Sequence, residues 1–164
     1  MPFPDEPASS LAIVTYDRGW PWEFCTLAAN CIDIQIRVYD LDDNAIPPAF
    51  TTIGFRLRPE PWNRVEVTAG TQWPKLVFAP PIGERATNVH VRESDSATAR
   101  RNLLFRDFLR ANDPARNAWG DFKQRLAHSA TNIYDYGQIK SPATEILMIA
   151  AEDWARHMAW KPAR

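Results

Sequence analysis

Residues 32–38, IDIQIRV, alternate without a break between aliphatic and polar side chains. Ile32, Ile34, Ile36 and Val38 fall on one face, and Asp33, Gln35 and Arg37 on the other, which is the two-residue period of a β-strand. The run TNVHVR repeats the pattern, with Val89 and Val91 opposed to Asn88, His90 and Arg92. A strand with one aliphatic face is stable only in a sheet that buries that face against a second layer. If the two strands are neighbours, their polar faces can share one side. The same alternation also describes an antiparallel sheet with one solvated face and no site at all.

Elsewhere in the first half, Leu11–Tyr16 reads as a short strand and Asp17–Phe24 as a turn and short helix. Asn44–Gly54 reads as a short helix interrupted at Pro47-Pro48. Asn63–Val67 and Lys75–Phe78 are weaker strands separated by the turn-rich TAGTQWP. The period then changes. Ser96–Ala111 sets Leu103, Leu104, Phe108 and Leu109 among Arg100, Arg101, Arg106 and Arg110, as an amphipathic helix does. Asp113 as N-cap and Pro114 at the first helical position open another helix, to about Ala127. Ser141 and Pro142, with Glu145 behind them, predict the start of a last helix ending at Met158. Its apolar stripe is Ile146, Leu147, Ile149, Ala150 and Trp154.

With 164 residues the chain is one domain, expected over 11–164 behind a tail at 1–10. Lys+Arg number 19 and Asp+Glu 20, so bulk nucleic-acid coating is excluded, though a local basic pocket is not. No apolar run is long enough to span a bilayer. The start, MPFPDEPASS, is no signal peptide, and a cytoplasmic protein is expected. Cys25 and Cys31 have neither zinc-ligand spacing nor the compartment for a disulfide, and read as thiols.

The joined polar face would carry Asp33, Gln35 and Arg37 beside Asn88, His90 and Arg92. Arginine offers a planar fork to phosphate oxygens, and aspartate is a hard oxygen ligand suited to Mg²⁺. Asp33-x-Gln35 is half of a two-carboxylate metal motif, with an amide in the second place. His90 serves as a base, as a ligand or as a hydrogen-bonded strand residue. Arg106 either joins a basic rim or pairs with Asp107. Tyr136 and Lys140 stand one helical turn apart, beside the site or on the surface.

Several stretches, in order, resemble the GrpB-like proteins, a family also found as the C-terminal domain of some bacterial dephospho-CoA kinases. They are IVTYDRGWPWEF, LAANCIDIQIRV, TNVHVR, LLFRDFLRAN and YGQIKSPATEILMIAAEDWA. The resemblance implies an α/β (α+β), nucleotidyltransferase-like fold with a small mixed sheet and C-terminal helices. It places Asp33 on the metal-ligand strand, with Mg²⁺ as the cofactor, and pairs it with His90 as catalytic residues. Gln35 and Arg92 fall on the same strands, and Lys123, Tyr136 and Lys140 match family positions without an assigned role; with Arg37, Asn88 and Arg106 from the residue pattern they are the candidate contacts to a nucleotide or another phosphorylated small molecule.

One departure stands out. Family members carry a stretch with a Gly-Ser turn before the Asp strand, whereas here WPWEFCTLAAN runs straight into CIDIQIRV. The resemblance therefore implies a missing helix and strand, joined at Leu27-Ala28-Ala29. Backbone N–H groups of a Gly-rich turn supply much of a phosphate cradle, so transferase activity is expected to be weak or absent. A non-catalytic module serving dephospho-CoA kinase is the alternative. Loss of a central strand predicts unpaired sheet edges and a homodimer formed through them.

Overall fold

The computed structural model describes residues 31–162 and the backbone of 12–15. The expected tail, the turn and helix at Asp17–Phe24, Cys25 and the Leu27–Ala29 join lie outside the described residues. Strands β1 (Ala12–Thr15), β2 (Ile32–Val38), β3 (Arg56–Leu57), β6 (Leu76–Ala79) and β7 (Thr87–Glu93) form a sheet in the order β1-β2-β7-β6-β3. The β2 and β7 strands are parallel and the other neighbours antiparallel, so the sheet is mixed. Strands β4 (Val65–Thr68) and β5 (Thr71–Pro74) form a separate hairpin. The α/β class, the small mixed sheet and the C-terminal helices are as expected. Strand β2 lies between β1 and β7, and the outer strands of the sheet are β1 and β3.

Helix α1 (Ile46–Thr52) is opened, not interrupted, by Pro47 and Pro48. In the first turn the missing N–H groups have no helical partner to lose. Gly54, at φ +82°, ends the helix in a left-handed cap: its N–H donates to Thr51 O and that of Phe55 to Phe50 O. Phe50 then stacks on the fully buried Phe78, ring centroids 3.9 Å apart. This closes the aliphatic face of the sheet, where Ile34, Ile36, Val38, Val89 and Val91 meet Leu41 and α1.

The turn-rich TAGTQWP proves to be a turn followed by strand β5. Ala69 and Gly70 both take positive φ, 50° and 75°, between the paired Thr68 and Thr71. Two left-handed residues in sequence give the tight turn whose twist matches a hairpin.

Helices α2 (Ala97–Ala111), α3 (Asp113–Ser129) and α4 (Ile133–His157) form the second layer. Ser96 caps α2 by accepting from Ala99 N. The cap of α3 is Asn112 rather than Asp113, since the Asn112 side chain accepts from Ala115 N. The largest correction concerns α4. It starts at Asn132, whose side chain accepts from Asp135 N, and runs through Ser141 and Pro142 without a break. Pro142 and Gln138 are exposed, so water reaches the carbonyl that the proline cannot serve. The inward stripe shifts accordingly. Met148, Ala151 and Ala155 pack on Leu104 and Phe108, with Leu147 and Trp154 at the margin, while Ile146 and Ile149 face outward. Among the described residues no helix is long and apolar enough to cross a membrane.

Candidate functional site

The two alternating strands pair in register, Asp33 beside Asn88, Gln35 beside His90 and Arg37 beside Arg92. All six side chains therefore stand on one face, because residues opposed in register point the same way. This face is covered rather than open. Gln35 is 1% exposed and Arg92 4%, more deeply buried than Ile34 or Ile36 on the aliphatic face. Helix α2 and the hairpin supply the cover. Gln35 Nε2 donates to Ala99 O on α2 at 3.3 Å, and Arg92 Nη1 donates to Gln35 Oε1 at 3.1 Å. From the hairpin, Glu66 Oε2 accepts from Arg92 Nε at 3.0 Å and Nη2 at 2.7 Å, and Lys75 Nζ approaches it to 3.7 Å.

The face opens at the N-terminal ends of the two parallel strands. There the Asp33 carboxylate is half exposed, with His90 Nε2 3.5 Å from its Oδ1. Asn88 Nδ2 donates to the same oxygen at 3.2 Å and to Cys31 Sγ at 3.3 Å, while Arg58 Nη1 donates to Asn88 Oδ1 at 2.9 Å. Lys140 sits on α4 with its ammonium 5.3 Å from the centre of the Tyr136 ring, and its charge acts on Asp33. Lys75 acts on both Asp33 and His90. Four cations, Arg58, Lys75, Arg92 and Lys140, thus gather about Asp33 and Glu66, with Glu60 paired to Arg58 at 3.6 Å.

Burial pushes the Asp33 carboxyl up, but His90, Asn88 and Lys140 outweigh it and hold the group below its ordinary range. Burial likewise opposes ionisation of Glu66, and Arg92 and Lys75 overcome it. The Lys75 ammonium is pulled down by its own burial against the attraction of Glu66. For His90, burial and the charges of Arg92 and Lys75 outweigh the pull of Asp33, and the imidazole falls below its ordinary 6.5. Partial burial and the Asp33 charge push the Cys31 thiol up, so it is not a thiolate nucleophile.

These shifts make a pH prediction. Between the folded and unfolded values of His90 the unfolded chain holds a proton that the folded chain does not. Stability therefore falls as pH drops below 6.5 and this contribution is fully lost once the folded value is passed. A second fall, from Glu66 and Asp33, belongs to the carboxylate range. In a series of melts, His90→Gln is expected to abolish the first fall and keep the second. An unchanged first fall in the variant assigns it elsewhere.

The sequence-derived site residues separate into three groups. Asp33, Asn88, His90 and Lys140 come together at the mouth. Gln35 and Arg92 lie behind them as a structural network, and Arg37 is buried at the far end of β2, roughly 13 Å along the strand from Asp33. The third group stands on the helices. Arg106 is mostly buried and pairs with Asp107 at 2.6 Å, so it joins no basic rim. Lys123 is exposed on α3, and Tyr136 is buried against Leu126 and Ala127, presenting its ring to Lys140. Sequence reasoning missed Arg58, Glu66 and Lys75. The two-residue period of β6 already places Lys75 with Val77 on the polar face, and that signal was available.

His90 also differs from a free base. Its Nε2 faces Asp33, and its Nδ1 is buried without a hydrogen-bond partner. The donor set is a poor one for Mg²⁺, which takes one or two carboxylates alongside waters and ligand phosphates in octahedral geometry and here would lie among cations. Among the described residues Asp33 is the half-exposed carboxylate beside His90, both amide atoms of Gln35 are engaged, and Glu66 is held by Arg92 and Lys75. Among the described residues no three His, Cys, Asp or Glu side chains group as metal ligands.

The sequence profile described as GrpB protein matches residues 26–148. The chain belongs to the GrpB family. Its fold is similar to that of the conserved protein GrpB from Enterococcus faecalis, with a TM-score of 0.60 at 21% identity, over 77% of this chain and 73% of that one. A dephospho-CoA kinase from Mycolicibacterium paratuberculosis (strain ATCC BAA-968 / K-10) is 31% identical over 150 residues. That alignment covers 82% of the GrpB-family chain described here and 37% of the kinase, so the chain spans little more than a third of that relative.

Proposed function

We propose that this GrpB-family chain has a nucleotidyltransferase-like fold and binds a nucleotide or another phosphorylated small molecule at the mouth beside Asp33. The gathering of Arg58, Lys75, Arg92 and Lys140 around the half-exposed Asp33 and the Glu66 behind it carries this reading. Lys140 offers the direct phosphate contact, since Arg92 and Lys75 are already engaged by Glu66. Transfer chemistry is weak or absent. Gln35 cannot act as a second acid, His90 Nδ1 is buried while its Nε2 is engaged by Asp33, and the Gly-Ser phosphate turn has no counterpart in the sequence.

A thermal-shift screen of nucleoside triphosphates, pyrophosphate and coenzyme A precursors tests it. A ligand at about 100 times its Kd stabilises by about 2.7 kcal/mol, a visible rise in melting temperature. Lys140→Met is expected to remove most of that rise while leaving the unliganded melting point near that of wild type. If no phosphorylated ligand moves the melting point, the reading fails.

A second reading, a non-catalytic module that works with dephospho-CoA kinase, is favoured by a different observation. Ile139, Ile146 and Ile149 are 49%, 69% and 72% exposed on one side of α4, and such an apolar surface is suited to a protein partner. The matched kinase is much longer than this chain, which agrees with a domain that works beside another. This reading expects no ligand in the screen to alter the melting temperature.

A further inference from the structure

We propose that the mouth binds its phosphate group by direct contact with cations and without a divalent metal, Asp33 acting as counter-ion to Lys140 and as a partner for His90 rather than as a metal ligand. The inference rests on the phosphate-binding reading above and specifies how that site works. Its basis is a count of free oxygen atoms. Asp33 Oδ1 is already faced by His90 Nε2 and Asn88 Nδ2. Asn88 Oδ1 accepts from Arg58, and Gln35 Oε1 accepts from Arg92 in a site closed to solvent. Glu66 Oε2 takes two N–H groups from Arg92 and faces Lys75. Among the described residues Asp33 Oδ2 is the carboxylate oxygen left at the mouth. A divalent ion held there would find a single free carboxylate oxygen among the described residues and would sit within the field of Lys140 and Lys75. Those same charges attract a phosphate dianion, and the half-exposed carboxylate of Asp33 repels it.

The consequence is a sign that separates the two kinds of site. At a metal site, removing the carboxylate abolishes binding. Here, Asp33→Asn removes the repulsion and keeps an oxygen for His90 and Asn88 to contact, so binding is expected to tighten several-fold.

The experiment is titration calorimetry with inorganic pyrophosphate on the intact chain, once in EDTA and once in excess Mg²⁺. Wild type is expected to bind in EDTA at least as tightly as in Mg²⁺, because Mg²⁺ neutralises part of the ligand charge. Asp33→Asn is expected to bind more tightly, and Lys140→Met about tenfold more weakly. Binding that appears only with Mg²⁺, or that Asp33→Asn abolishes in a variant melting like wild type, overturns the metal-free inference and leaves the phosphate reading standing. Absence of pyrophosphate binding in both buffers overturns the two together.

Discussion

Arg92→Leu is expected to lower the free energy of unfolding by roughly 3–5 kcal/mol, the usual loss when one partner of a buried pair is removed. The Arg92 guanidinium is the centre of the covered polar face, joining Gln35 of β2 to Glu66 of the hairpin. Leucine leaves Gln35 Oε1 without its donor and Glu66 with Lys75 alone, at 3.7 Å. An unpaired buried acceptor forfeits its hydration with nothing in return. Arg92→Lys is expected to fall between leucine and wild type. It keeps the charge, but a point charge cannot serve two acceptors as the planar fork does. Urea titrations of the three proteins check the order, provided their slopes agree. A loss below about 1 kcal/mol in Arg92→Leu would place the pair with solvent-screened surface bridges instead.

Phe78→Ala is expected to cost about 3–5 kcal/mol, as deletion of a fully buried aromatic ring generally does. The ring lies on the opposite face of the sheet, stacked on Phe50 within 7° of parallel. Its loss opens a cavity between α1 and β6 that the hydrogen-bonded strands cannot close. Val67→Ala serves as the contrast. Val67 is 64% exposed on the outer side of the hairpin, and its truncation is expected to change stability by less than about 0.5 kcal/mol. The same urea series reads both. Comparable losses in the two variants would mean that the outer side of the hairpin is itself buried against something.

Much of the site was legible from periodicity. The alternation in IDIQIRV and TNVHVR placed Asp33, Gln35, Asn88, His90 and Arg92 on one face, and the register bears out that placement. Periodicity says which way a side chain points, not what it meets there. Gln35 and Arg92 read as groups facing a ligand, and they proved to be buried groups facing α2 and Glu66. Arg106 read as part of a rim and is paired with its own neighbour. Ser141-Pro142 read as a helix start because cap signals are local, whereas α4 continues where Met148, Ala151 and Ala155 find the surface of α2.

The hairpin shows the division most clearly. In β4 the valines Val65 and Val67 face outward and the acid Glu66 faces inward, the reverse of ordinary strand patterning. No rule of local hydrophobicity produces that arrangement. It follows once Arg92 lies beneath, since a buried guanidinium needs a carboxylate more than a valine needs shelter. The sequence by itself determined the class of fold, the faces of the two parallel strands and the approximate helices, because these depend on neighbours a few residues apart. Only the tertiary structure decided which polar residues became framework and which stayed at the mouth. That choice rests on contacts between residues far apart in the chain, 35 with 99 and 66 with 92, to which no short period responds.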